Sequence, residues 1–260
     1  MINDKVIVGA MLVSQDSEML DITIPSLMNQ CDWALIVMDN ETREVEDKVY
    51  AYQKKYYSKM FVRRSSIPSI LISRKGSALE YRRRWKSTSA LIRDDIFIGL
   101  RRILNEKKPG YDKIDILIWP DADVVFTDYL PDLLSSFLDS SYNAIMMRHV
   151  DVVGDMKTLR KSGMGRHVHI MKYSRELTAY PKRFFAVYIP LSRSDLLNVD
   201  YYSVHLAHLT EYSREWRNKN WKSMDLIGSD VWSADNDVRR MSPIEIQEIF
   251  NRQPDKKFNK

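Results

Sequence analysis

Three short stretches in which nearly every residue is apolar constrain this chain most: Lys5 to Val13 (KVIVGAMLV), Trp33 to Met38 (WALIVM) and Ile114 to Trp119 (IDILIW). A strand with one wet face alternates polar and apolar residues. A strand that is apolar at successive positions is buried on both faces, as in a parallel sheet covered by helices on each side. The segments between these runs carry helical periodicity. Leu20, Ile24, Leu27 and Met28 form one stripe, with Pro25 expected near a helix start or in an irregular first turn. A polar amphipathic helix is expected over roughly Val45 to Tyr57, followed by a short strand from Met60 to Arg63. Strand and helix in alternation predict an α/β fold with a mostly parallel central sheet and helices on both faces.

The same reading continues to about residue 150. Ile92, Ile96, Leu100, Ile103 and Leu104 mark a long helix that stops before Pro109-Gly110. Tyr129 to Leu138 reads as a helix, Asn143 to Met147 as a strand and Phe184 to Pro190 as a further strand. Gly154, Gly163 and Gly165 suggest a mobile stretch. Ser242-Pro243-Ile244-Glu245 has the form of a capping box with proline at the first helical position. With no internal repeat or linker, a single domain spanning 1–260 is expected. Its two halves are 1–125, for a nucleotide, and 126–260, for an acceptor and the C-terminal helices.

Composition narrows the setting. The net charge of +5 suits a partner that is a polyanion, though each basic cluster also fits a solvated face. Cys31 is the one cysteine, so no intrachain disulfide can form, and a reducing, cytoplasmic setting is the simpler expectation. No apolar run approaches the roughly 18–20 residues of a transmembrane helix.

Chemistry is concentrated at Asp121-Ala122-Asp123, just past the end of the IDILIW strand. Ligands of open α/β sheets bind at the carboxyl ends of the strands. Two carboxylates one residue apart on a turn there offer hard oxygen ligands to Mg²⁺ or Mn²⁺. Two further features share the pattern: Asp39-Asn40-Glu41-Thr42 closes the WALIVM strand, and Val204-His205-Leu206-Ala207-His208-Leu209 lies in the second half.

On these residues the chain resembles the GT-A glycosyltransferases, family 2 most closely. The resemblance covers the first half and patches of the rest. It implies that Ser14, Asp39 and Asn40 contact the nucleotide and that Asp123 ligates a divalent cation. Asp121 would reach the ribose or the metal. Arg84, Lys86 and Arg93 compete for a basic role near the nucleotide. His208 would complete the metal site, ahead of His205, with Arg214, Arg217 and Lys219 in a short basic helix behind it. Asp151 would be the catalytic base, with Glu211 after it. The implied donor is a nucleotide-diphosphate sugar, UDP-linked by preference, with Mn²⁺ or Mg²⁺. The acceptor, whether glycan, lipid, protein or nucleic acid, is left open. Two other readings use the same sequence: a metal-dependent phosphohydrolase built on the Asp/His cluster, and a basic nucleic-acid-binding module, for which no recognition motif is present.

Overall fold

The apolar runs form the spine of a sheet. The computed structural model describes residues 4–13, 17–39, 42–65, 94–126, 130–161, 165–179, 187–188, 195–208 and 238–250. Its first elements are β1 (Ile7–Val13), α1 (Ser17–Met28), β2 (Trp33–Met38), α2 (Arg43–Lys55) and β3 (Met60–Arg64). A helix over 94–105, α3, precedes β4 (Ile116–Ile118). β3, β2, β1 and β4 lie side by side in that order, all parallel. Burial explains why they read as continuous apolar runs, since all six residues of β2 are buried.

The two faces of this block are covered by different helices. Ile7, Met11 and Val13 of β1, with Ala34, Ile36 and Met38 of β2, meet Leu20, Ile24 and Leu27 of α1 and Val45 and Val49 of α2. Val8, Ala10, Trp33, Leu35 and Val37 meet Ile96, Phe97, Leu100 and Leu104 of α3. Each fully buried Leu, Ile or Phe stabilises the fold by about 1.5–3 kcal/mol relative to exposure, so the sandwich is secured from both sides. The expected α/β architecture, a parallel central block with helices on both faces, is what the chain adopts.

The sheet then continues with mixed polarity. After β5 (Val124–Phe126) and α4 (Pro131–Leu138) come β6 (Ala144–Val153), β7 (Asp155–Arg160) and β8 (Gly165–Lys172). A two-residue pair, β9 (Thr178–Ala179) with β10 (Val187–Tyr188), stands apart. β11 (Leu196–His208), β12 (Val238–Arg240) and α5 (Pro243–Phe250) complete the chain. β8 joins the two halves, antiparallel to β4 on one side and to β6 on the other. β11 runs parallel to β6 and antiparallel to β5. β7 pairs antiparallel with β6 and with β12.

Several expectations need correction. Pro25 lies inside α1, in its third turn rather than near its start. The buried stripe of Leu20, Ile24 and Leu27 outweighs the roughly 3 kcal/mol penalty of an interior proline. The stretch marked by Gly154 and Gly165 is ordered sheet. Gly154, at φ +70°, makes the tight turn from β6 into β7, and Gly165 opens β8; Gly163 lies outside the described residues. The strand expected at Asn143 to Met147 runs on to Val153. Of Phe184 to Pro190 only Val187–Tyr188 is described, as a strand. The capping box forms as read: Glu245 N–H donates to Ser242 Oγ at 3.2 Å, and Ser242 N–H donates to Glu245 Oε2 at 2.9 Å. Among the described residues no helix is long and apolar enough to cross a membrane.

Candidate functional site

β1, β2 and β4 all point their carboxyl ends to one edge of the sheet. Asp39 follows β2 there, is buried, and donates its backbone N–H to Val13 O at 2.8 Å. Trp119, Pro120 and Asp121 follow β4. The chain then turns, with Val124 N–H donating to Asp121 O at 3.0 Å, and enters β5. Asp121 is half-buried, whereas Asp123 is 4% exposed. β11 fixes the turn, because Leu206 N–H donates to Asp123 O at 2.7 Å.

Strand pairing then brings three candidate side chains into line. β11 carries His205 opposite Val124 of β5 and opposite Asp151 of β6. His205 Nε2 lies 3.2 Å from Asp123 Oδ2, and its Nδ1 lies 2.8 Å from Asp151 Oδ1. Both ring nitrogens therefore donate to carboxylates, which requires the imidazolium form. Burial opposes that charge. The Asp123 charge, hydrogen bonds to Asp123 and Asp151, and the Asp151 charge overcome burial and raise the ring to about pKa 10. Arg160 also faces Asp151, at 3.6 Å.

Three more histidines border this line. His149 precedes Asp151 by two residues on β6, and Nε2 of His149 is 3.6 Å from Asp151 Oδ1. The His149 and His167 rings stack at 3.9 Å with 5° between their planes, and His169 lies 5.8 Å from the His149 centroid. Burial first, then the neighbouring histidines, lower His149 to about pKa 2. Burial lowers His169 to about 4 against the opposing pull of the Asp121 charge, and it lowers His167 as well. The site thus holds one charged imidazole between carboxylates and three neutral ones beside it.

The sequence expectations fall into three groups. Asp121, Asp123, Asp151 and Asp39 lie at the carboxyl edge or on the strands beside it, and Asp123 and Asp151 meet through His205. His208 ends β11, with its backbone paired to Val153; its side chain is outside the described set. Ser14, Asn40, Arg84, Lys86, Arg93, Glu211, Arg214, Arg217 and Lys219 also lie outside the described residues. Residues the reading missed are His149, His167 and His169. Their signal was present in Arg148-His149-Val150-Asp151 and Arg166-His167-Val168-His169, where polar residues two apart on a strand fall on one face. Asp95, fully buried on α3, was missed too; it accepts from Arg63 at 3.3 Å and from Ser65 Oγ at 2.7 Å.

No family model matches this sequence, and no curated protein matches it. Among solved structures it is similar to a putative glucose-1-phosphate thymidylyltransferase from Bacillus anthracis, with TM-score 0.41 and 10% identity over 87% of this chain and 97% of that one. A mannosyltransferase from Pyrobaculum calidifontis, in complex with GDP-Man and Mn²⁺, gives TM-score 0.35 and 11% identity. That match covers 55% of this chain, which spans only 35% of the mannosyltransferase. A 4-diphosphocytidyl-2C-methyl-D-erythritol synthase from Anaerococcus prevotii gives TM-score 0.33 and 14% identity, over 67% of this chain and 66% of that one. Likeness at this level carries no weight for function.

Proposed function

We propose that this chain is a metal-dependent glycosyltransferase that takes a sugar from a nucleotide-diphosphate sugar, UDP-linked by preference. The observation that carries the reading is the line Asp123, His205, Asp151 at the carboxyl edge of a parallel α/β sheet, with Asp39 at the end of the neighbouring strand. The donor set suits a cation. In this state a protonated imidazole supplies positive charge 3.2 Å from Asp123. Asp121 and Asp123, with His208, or with His205 once it gives up the proton it donates to Asp123, would hold Mn²⁺ or Mg²⁺. Such an ion, when bound, neutralises charge on a departing diphosphate.

The chain's own residues then divide the work. Asp39 takes the nucleoside end. Asp121 lies between the nucleoside and the diphosphate positions. Asp151 serves the acid–base role through His205, holding Nδ1–H and so fixing which face of the ring meets Asp123. Residues 1–125 bind the donor, and 126–260 supply His205, Asp151 and the acceptor side. The acceptor is a hydroxyl of undefined class.

Calorimetric titration of UDP, GDP and their sugar conjugates, with Mn²⁺ and then with EDTA, tests the reading. Metal-dependent binding is expected, weakened at least about tenfold, or roughly 1.4 kcal/mol, by Asp39→Ala. Equal binding in EDTA removes the metal from the proposal. The gathering of four histidines with Asp123 and Asp151 also suits a metal-dependent phosphohydrolase; turnover of simple phosphoesters with no sugar preference would decide for that second reading.

A further inference from the structure

Four of the chain's five histidines meet on β6, β8 and β11, and the reading above uses only His205. Two of the other three, His169 and His149, make hydrogen bonds that bear on where their ring protons sit. His169 Nδ1 lies 3.3 Å from the backbone oxygen of Trp119. A carbonyl oxygen only accepts, so Nδ1 carries the proton and Nε2 carries the lone pair. That Nε2 is buried and has no hydrogen-bond partner among the described residues.

His149 follows the same logic. Its Nδ1 lies 2.9 Å from Ser203 Oγ, which also lies 3.3 Å from Arg148 O and can give its single hydrogen there. With the hydroxyl hydrogen on Arg148 O, Nδ1 of His149 is the donor and Nε2 bears the lone pair that a ligand needs. This Nε2 also lies 3.6 Å from a carboxylate oxygen of Asp151. His167, exposed on β8, stacks on His149 at the open side of the group. One ligand atom from each of His149, His167 and His169 lies within 4.8 Å of the others.

We infer that His149, His167 and His169 form a three-imidazole site for a transition-metal dication of the zinc, cobalt or copper class, separate from the cation site proposed at Asp121 and Asp123. Ligating histidines typically donate their second ring nitrogen to a carbonyl, carboxylate or hydroxyl, which sets the tautomer and orients the ring. Trp119 O and Ser203 Oγ do this here. Three neutral nitrogens favour Zn²⁺, Co²⁺ or Cu²⁺ over Mg²⁺, which prefers oxygen, and over Mn²⁺, which stands lowest in the affinity order. The His149 and His167 rings are stacked in parallel here, so ligation of one ion requires His167, the exposed member, to turn out of the stack. Three protein ligands leave a tetrahedral ion one open position for water or an exogenous group. The two sites touch through Trp119, whose carbonyl holds His169 and which stands two residues before Asp121.

Full-length protein stripped with EDTA and dialysed is titrated with Zn²⁺ and with Co²⁺ in a large excess of Mg²⁺. One equivalent of each is expected to bind, Co²⁺ giving the visible absorption of a nitrogen-ligated ion. His167→Ala changes an exposed residue and is expected to weaken binding at least tenfold with the circular dichroism unchanged. Asp121→Asn combined with Asp123→Asn is expected to leave it intact. Cu²⁺ bound to wild type and to the double aspartate variant should show nitrogen splitting in its electron paramagnetic resonance spectrum. Binding that survives His167→Ala, is lost in the aspartate variant, or never reaches one equivalent would overturn the assignment.

Discussion

Gly9 sets the distance between β1 and α1, and replacing it with alanine measures how firmly that distance is held. A methyl at Gly9 would lie 2.9 Å from both Cγ and Cδ1 of Leu27 and 3.1 Å from Cys31 Sγ. Carbon atoms rest at about 3.5–4.0 Å, so the shortfall is roughly 0.6–1.1 Å against two atoms of a fully buried leucine. Overpacking of this kind costs about 1–3 kcal/mol. The reduced freedom of the unfolded chain returns roughly 0.4–1 kcal/mol. Gly9→Ala is therefore expected to lose about 1–2 kcal/mol net. Leu27→Ala alone should lose about 2–5 kcal/mol through its cavity. In the double variant the new methyl enters the vacated space, so the two losses should fall short of their sum by at least about 1 kcal/mol. Urea unfolding reads this out as midpoint shifts at constant slope. Strict additivity, or a Gly9→Ala variant as stable as wild type, refutes the account of β1–α1 contact.

Two other perturbations probe features far from that contact. Burial raises the Cys31 thiol to about pKa 12, and it donates to Leu27 O at 3.2 Å; alkylation by iodoacetamide at pH 8 should stay slow in the native protein and become rapid in urea, and fast native labelling would contradict it. Glu245 is lowered to about 2, first by its hydrogen bonds to Arg239 and then by Ser242 N–H. Its folded pKa lies below the unfolded one, so its contribution is complete above about pH 4.5, shrinks below that and is gone near pH 2. The stability gap between wild type and Glu245→Gln, about 1 kcal/mol at neutral pH given partial exposure, should follow that course in urea titrations; a gap that grows on acidification contradicts it.

The inner strands of the parallel block, β1, β2 and β4, were legible because they are wrapped on both faces, leaving no polar residue to break the run. The start of α5 was legible for a different reason, since Ser242 and Glu245 satisfy each other within one turn. The second half hid itself. β8 (GRHVHIMK) and the end of β6 (RHVDVV) turn histidines and aspartates inward, so their buried face does not read as hydrophobic. Pairing those strands requires knowing that β8 inserts between β4 and β6, which no local pattern states. The aspartates at the turn after β4 could be found because one strand delivers both. Of the clustered histidines only His205 was named; His149, His167 and His169 come from β6 and β8, and no single segment shows that the two strands meet.

That dispersal fixes when in the life of the chain the site can exist. Asp123 and His205 are 82 residues apart, His149 and Ser203 are 54, and His169 and Trp119 are 50. Contacts of such separation form late and slowly, because the intervening chain must be closed before the contact rewards it. During synthesis the segment through β3 can pack against α1 and α2 while everything that surrounds the charged imidazole is still being made. β11 is the last of the site's strands to emerge, and until it docks between β5 and β6 neither carboxylate has its counter-charge from His205. The line Asp123, His205, Asp151 is thus completed in one late step, and a nascent or truncated chain ending before residue 205 carries the two aspartates without the strand that joins them.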